Sequence, residues 1–155
     1  LDRIVRDYDS ISICLSKGLG APIGSVLVGS SSLIAQAHRW RKMFGGGMRQ
    51  AGMLAAAGLH ALDHHVERME EDHARAKRLA SAINDIDGFT VDLSTVETNM
   101  VYFDSTIPAT EVMEALGTSG VDVLDIGPHS CRIVVHLHVT DEDVDQVIQI
   151  FGSLR

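Results

Sequence analysis

The chain has 155 residues, 45% of them apolar and 22% charged, which is the make-up of a globular protein able to bury a sizeable core. Thirteen basic against 21 acidic residues give a formal net charge of −8, which opposes non-specific binding to nucleic acid or to an anionic membrane but leaves room for a local basic pocket for a small anion. No stretch reaches the roughly 20 apolar residues needed to span a bilayer.

The first element, "LDRIVRDYDS", is a short amphipathic helix. It carries neither an initiator Met nor a basic region leading into an apolar one, so no secretory signal is expected, and the chain reads as a piece of something longer. "SISICLS" (Ser10 to Ser16) alternates Ile11, Ile13 and Leu15 with small residues and predicts a strand. "IGSVLVG" (Ile23 to Gly29) predicts a second strand, so continuously apolar that a sheet covered on both faces is expected. Ser30 to Ser32 offer an N-cap to a helix with Ile34, Ala37, Trp40 and Phe44 on its inner face, which Gly45 to Gly47 end.

From Met48 to about Ile83 helical character is almost unbroken. Leu59, Leu62, Val66, Met69, Ala76, Ala80 and Ile83 form a stripe expected to be buried. Such a length predicts one long bridging helix, or two helices with a bend near the acidic stretch Glu67 to Asp72. The remainder alternates short elements. Strands are expected at Phe89–Asp92, Met100–Asp104, Val121–Leu124 and Cys131–His136, and helices at about Pro108–Ser119 and Asp141–Leu154. Thr140 with Asp143 has the form of a capping box. The two cysteines, Cys14 and Cys131, both fall in apolar runs and are expected reduced and buried, which suits a cytoplasmic or organellar-matrix enzyme.

Chemistry is concentrated in "CLSKGLGAP". A lysine at a strand end is by default a solvated cation. Lys17, however, closes a strand whose neighbours read as buried, and open α/β sheets place ligands beyond such ends. Burial would favour the neutral, nucleophilic amine, and Gly18, Gly20 and Gly24 allow close approach. A phosphate-binding P-loop needs the order Gly-Lys-Ser/Thr, and the Ser-x-x-Lys motif needs a serine where Cys14 stands. Imine formation with a carbonyl remains, as lysines do with pyridoxal phosphate. In "RKMFGGGMRQAG", three glycines lead to a helix expected to begin at Met48-Arg49-Gln50. That is either a phosphate site or a plain hinge with a solvated Arg.

Together, "SICLSKGLGAPIGSVLVGS" and "RKMFGGGMRQAGMLAAAGLHAL" closely resemble the low-specificity L-threonine aldolases, and the likeness continues through "TNMVYFD" to "CRIVVHLHVTDEDVDQVIQIF". These are pyridoxal-phosphate enzymes of the aspartate-aminotransferase-like α/β fold (fold type I). The resemblance implies that residues 1–65 end a large cofactor-binding domain, bridging helix included, and that 66–155 form a small α+β domain. It implies that Lys17 forms the internal aldimine with pyridoxal 5′-phosphate and that Arg132 grips the substrate α-carboxylate. It places Lys42 near the substrate and Arg49 against the cofactor phosphate, with sites shared between subunits of a homotetramer. The implied activity is cleavage of threonine or allo-threonine to glycine and an aldehyde, with no metal. Family chains are roughly twice this length. Their phosphate cradle, ring-stacking histidine and the aspartate paired with the pyridine nitrogen come earlier, so a missing N-terminal half or a second polypeptide is expected to supply them.

Two other functions fit the same residues. One is a β-eliminating lyase or transaminase using the same lysine and arginine. The other is an inactive fragment that acts as a folding or dimerising module. Outside the resemblance, Arg132 reads first as a solvated edge-strand charge, with a carboxylate clamp as the alternative. His136 and His138 are expected side by side on a strand surface, His60 and His64 on a helix surface or at a lobe interface, Asn99 at a cap or turn, and the run "ERMEED" on a solvated helix face pairing with Arg75.

Overall fold

A computed structural model describes residues 2–154; Leu1, which opens the amphipathic stretch, and Arg155 lie outside the described residues. The chain divides into two compact units, one running to Val66 and the other starting at Glu67.

In the first unit a short helix, α1 (Asp2–Val5), precedes strands β1 (Ser10–Cys14) and β2 (Ser25–Gly29). The strands pair antiparallel, from Ser10 opposite Gly29 to Cys14 opposite Ser25. The ten residues between them fold back on themselves. Leu15 N–H donates to the Gly24 carbonyl (2.9 Å), and Ala21 N–H to the Leu15 carbonyl (3.0 Å). Gly24 makes this return at φ +111°, a backbone that a side chain would strain. Helices α2 (Ser31–Met43) and α3 (Gly52–His64) complete the unit. Ser30 caps α2 by accepting from Leu33 N–H, and Gly45 ends it at φ +79°.

Three expectations fail in this unit. Every residue of β2 is exposed, so the sheet is not covered on both faces: its two strands are all the described residues contribute, and α2, set against Val26 and Leu27, covers them only in part. The inner face of α2 is met only in part: Ile34 and Ala37 are half-buried beside Val26 and Leu27, but no residue of the helix is fully buried, and Trp40 (52% exposed) and Phe44 (83%) stack on each other, centroids 5.9 Å apart. Leu59, Leu62 and Val66 are exposed too, and it is Gly58 and Ala61 that α3 buries. The long helical run is split, as the two-helix alternative required. It is cut at His65–Arg68, and Gln50 at φ +50° delays the start of α3 to Gly52, so Met48 and Arg49 are not helical.

The second unit is a four-stranded antiparallel sheet in the order β3-β4-β6-β5, built from β3 (Phe89–Thr90), β4 (Met100–Ser105), β5 (Leu124–Gly127) and β6 (Ser130–Val134). Helices α4 (Met69–Asn84), α5 (Ala109–Thr118) and α6 (Asp141–Ser153) cover one face. Strict alternation along β4 sends Val101 and Phe103 into that core, beside Ile83, Leu116, Cys131 and Phe151. The rings of Phe89, Phe103 and Phe151 meet edge to face, with centroids 5.3–5.8 Å apart.

Here too the differences have local causes. Val121 and Val123 are drawn against the core as irregular chain, so β5 begins only at Leu124. β6 ends at Val134, which takes His136 and His138 off the strand and into a turn, where His138 N–H donates to His136 Nδ1 (3.3 Å). Cys131 is buried, which pushes its thiol pKa up, whereas Cys14 is only half-buried. The acidic run is not all solvated: Asp72 is buried and takes both Arg68 guanidinium nitrogens, at 2.5 and 3.0 Å. The expected pairing of Arg75 with Glu71 is present at 3.3 Å, and Arg75 Nε also reaches Asp141 at 3.0 Å, joining α4 to α6.

The capping box at α6 forms as the sequence predicts. Thr140 Oγ1 accepts from Asp143 N–H (3.1 Å), and the Asp143 carboxylate accepts from Thr140 N–H (2.8 Å). These hydrogen bonds, the backbone one foremost, hold the Asp143 carboxyl below the usual carboxylate range. With the folded pKa depressed, the stabilisation is present above the unfolded value of about 4 and is lost as pH falls through the folded one. Thr140→Ala is expected to lower unfolding stability by about 1 kcal/mol in urea titrations. Asp143→Asn is expected to flatten the acid limb of a stability–pH series below about pH 4.

Candidate functional site

Lys17 stands at the first corner of a turn. Gly20 N–H donates to the Lys17 carbonyl (2.8 Å), and Gly20 takes φ +69°. Leu15 and Leu19, on either side, point inward and are buried, while Lys17 and Ser16 are exposed. The burial expected around Lys17 is therefore not provided by the described residues. The anchors press the turn's backbone onto the unit and leave the ammonium stem free. Three residues earlier, hydrogen bonds from Ser16 draw the Cys14 thiol below its usual pKa, and the charge of Lys17 adds a smaller push the same way.

Lys42 lies in the last turn of α2, and the glycines after it have a packing reason. A Cβ on Gly46 would sit 3.0 Å from Arg41 Cγ, and one on Gly47 would sit 3.2 Å from Lys42 Cδ. The side chains of Arg41 and Lys42 thus lie folded over the link, which side chains on the glycines would obstruct. Arg49 is exposed in the bend before α3. That helix begins at Gly52 with no side-chain cap, so no side chain accepts from the N–H groups of its first turn. A Cβ on Gly52 would meet nothing within 4 Å.

Arg132 belongs to the second unit. It sits on β6, an interior strand, opposite Tyr102 of β4 and Leu124 of β5. This is the bare face of the sheet, where Met100, Tyr102, Leu124 and Val134 are all exposed. The guanidinium is half-buried among them, and its Nε is buried without a hydrogen-bond partner among the described residues. An orphaned donor of that kind is costly, and a planar fork with an unmet N–H suits an oxyanion such as a carboxylate. Interior placement removes the edge-strand reading of Arg132. Asn99 serves the fold: its Nδ2 donates to the Val135 carbonyl (2.6 Å) and its carbonyl accepts from Val135 N–H (2.8 Å).

Lys17, Lys42 and Arg49 thus share the first unit, and Arg132 belongs to the second. Two neighbours of these residues carry weaker signals in the sequence, or none. The alternation of β4 could have placed Tyr102 on the Arg132 face. His65, which meets the Lys17 turn, had no local signal, because its partner Leu19 is 46 residues away.

The beta-eliminating lyase family matches the chain over residues 1–106. An Arabidopsis thaliana protein named "Low-specificity L-threonine aldolase 1" is 41% identical over 153 residues, covering 96% of this chain and 43% of that protein. Another from Arabidopsis thaliana, "Probable low-specificity L-threonine aldolase 2", reaches 46% identity over 158 residues, covering 98% of this chain and 44% of that one. "Low specificity L-threonine aldolase" of Escherichia coli K12 is 41% identical over 151 residues, covering 95% and 43%. The chain thus spans less than half the length of these relatives and corresponds to a C-terminal portion of them. Among solved structures, serine palmitoyltransferase of Sphingomonas wittichii superposes with a TM-score of 0.77 at 16% identity, over 97% of this chain and 40% of that one. A phosphoserine aminotransferase of Cytophaga hutchinsonii gives 0.66 at 14%, over 97% and 50%. At such identities the likeness concerns the fold, and it is the fold type I α/β architecture that the sequence led us to expect.

Proposed function

Because the chain belongs to the beta-eliminating lyase family, we propose that the protein it forms part of is a carbon–carbon lyase of the threonine aldolase kind. It would split L-threonine or L-allo-threonine into glycine and acetaldehyde with pyridoxal 5′-phosphate. The observation that carries this reading is 41–46% identity, over nearly the whole chain, to proteins named for that activity.

The residues present fit such a cofactor. Lys17 is an accessible amine on a turn whose backbone is fixed, as an amine that must bond an aldehyde requires. The uncapped start of α3, with Arg49 beside it and open space at Gly52, suits a phosphate. When bound, pyridoxal phosphate supplies a sink for the electron pair left on Cα as the Cα–Cβ bond breaks. Lys17 would hold the cofactor through its amine. Arg132, with its unmet Nε–H, takes the substrate α-carboxylate and so fixes which Cα bond stands in position to break. Lys42 lies near the substrate in this reading. The base for the β-hydroxyl proton belongs to the rest of the protein, as do the ring-stacking histidine and the phosphate cradle. We assign residues 1–65 to the large domain and 66–155 to the small one, and place the enzyme in the cytoplasm as a homotetramer.

The family's own description favours a second reading, β-elimination, on the same lysine and arginine. Product analysis separates the two. Incubated with threonine, the intact protein loaded with pyridoxal phosphate is expected to release glycine and acetaldehyde in equal amounts. A 2-oxo acid with ammonia, and no glycine, would replace the aldolase reading with elimination.

A further inference from the structure

The turn that carries Lys17 has more holding it than its own hydrogen bonds. Helix α3 approaches it at two points. Gly58 brings the helix so close that a Cβ there would sit 3.2 Å from Leu15 Cδ1, and Ala61, one turn on, is buried. At the end of the helix, His65 Nδ1 lies 2.7 Å from the carbonyl oxygen of Leu19. A carbonyl can only accept, so Nδ1 must carry the proton and donate it. Leu19 occupies the turn between the Lys17 carbonyl and the Gly20 N–H that closes onto it.

From this geometry we infer that His65 is a positioning residue for Lys17: it fixes the Leu19 peptide and, through the turn, the place from which the Lys17 stem departs. The chemistry supports the assignment. Leu19 is buried, so its side chain anchors one side of the peptide, and the imidazole anchors the carbonyl on the other. A turn containing two glycines, Gly18 and Gly20, has much backbone freedom to lose, and a hydrogen bond from a helix end removes it. The ring is itself braced, since His60 meets it edge-on with centroids 5.3 Å apart. Leucine fills the space of imidazole and cannot donate. Asparagine is shorter but carries an N–H donor in nearly the place of Nδ1–H. The inference rests on Lys17 being the cofactor-bearing amine.

The test compares wild type, His65→Leu, His65→Asn and His64→Leu in the intact protein. The first readout is hydrogen exchange in peptides covering residues 15–22 without cofactor, and the second is the concentration of pyridoxal phosphate needed for half-saturation. His65→Leu is expected to speed exchange of the Gly20 and Ala21 amides about five- to tenfold, and to weaken cofactor binding by a similar factor. His65→Asn should recover most of both, and His64→Leu should change neither. Unchanged loop exchange in His65→Leu would overturn the inference. So would equal loss in His65→Leu and His65→Asn together with faster exchange throughout the first unit, because that pattern belongs to a residue that only holds the fold. If a pyridoxyl label in wild type falls on another lysine, the functional reading fails, and the exchange data still decide whether His65 holds the turn.

Discussion

Lys17→Ala in the intact protein is expected to reduce threonine cleavage by at least about 10³-fold, the scale set by removal of a covalent nucleophile. The fold should be untouched. Lys17 is exposed, no ion pair or side-chain hydrogen bond involves it among the described residues, and the turn beneath it is built from the backbone and from the buried Leu15 and Leu19. Melting temperature should therefore stay within a degree or two of wild type, as for an exposed substitution worth under about 0.5 kcal/mol. Arginine at this position keeps the charge but not a nucleophilic amine, so Lys17→Arg should be as inactive as Lys17→Ala. A variant that kept most of its activity would mean that the lysine is only a solvated cation.

Arg132→Leu should act in opposite directions on function and stability. Losing the guanidinium removes a charge-assisted, forked contact to the substrate carboxylate, and KM for threonine is expected to rise about 100-fold. Without substrate, the same change removes a buried N–H that has no partner among the described residues and puts an apolar side chain among Met100, Tyr102, Leu124 and Val134. Stability should be unchanged or slightly higher, because a buried unsatisfied donor costs about 1–3 kcal/mol. Arg132→Lys should restore charge but not the planar fork, and recover only part of the affinity. A steady-state titration beside a thermal melt reads both effects. A variant that lost stability and kept KM would assign Arg132 to the fold instead.

Much of the second unit was legible because its signals are local. Alternation from Met100 to Ser105 names the buried face of β4, and Thr140 with Asp143 names the start of α6. Both depend on residues a few positions apart. Where a strand's fate depended on remote packing, the reading slipped, as with β5, displaced because Val121 and Val123 pack on the core without pairing. The first unit was harder. Apolar pattern predicted burial for Val26 to Val28, Trp40 and Phe44, and pattern records only what a side chain would favour, not whether a neighbour is there to cover it. Lys17, Lys42, Arg49 and Arg132 were all legible as motif residues. What the sequence could not convey was the exposed setting of Lys17, the interior strand position of Arg132 and the reach of His65 to a carbonyl 46 residues away.

The central claim is that the Lys17 amine bears the cofactor, and reduction tests it most directly. The intact protein is saturated with pyridoxal phosphate, treated with borohydride, digested, and its pyridoxyl-labelled peptide sequenced. The label should appear on Lys17 and be missing from that peptide in Lys17→Ala; a stoichiometric label on any other lysine would contradict the claim.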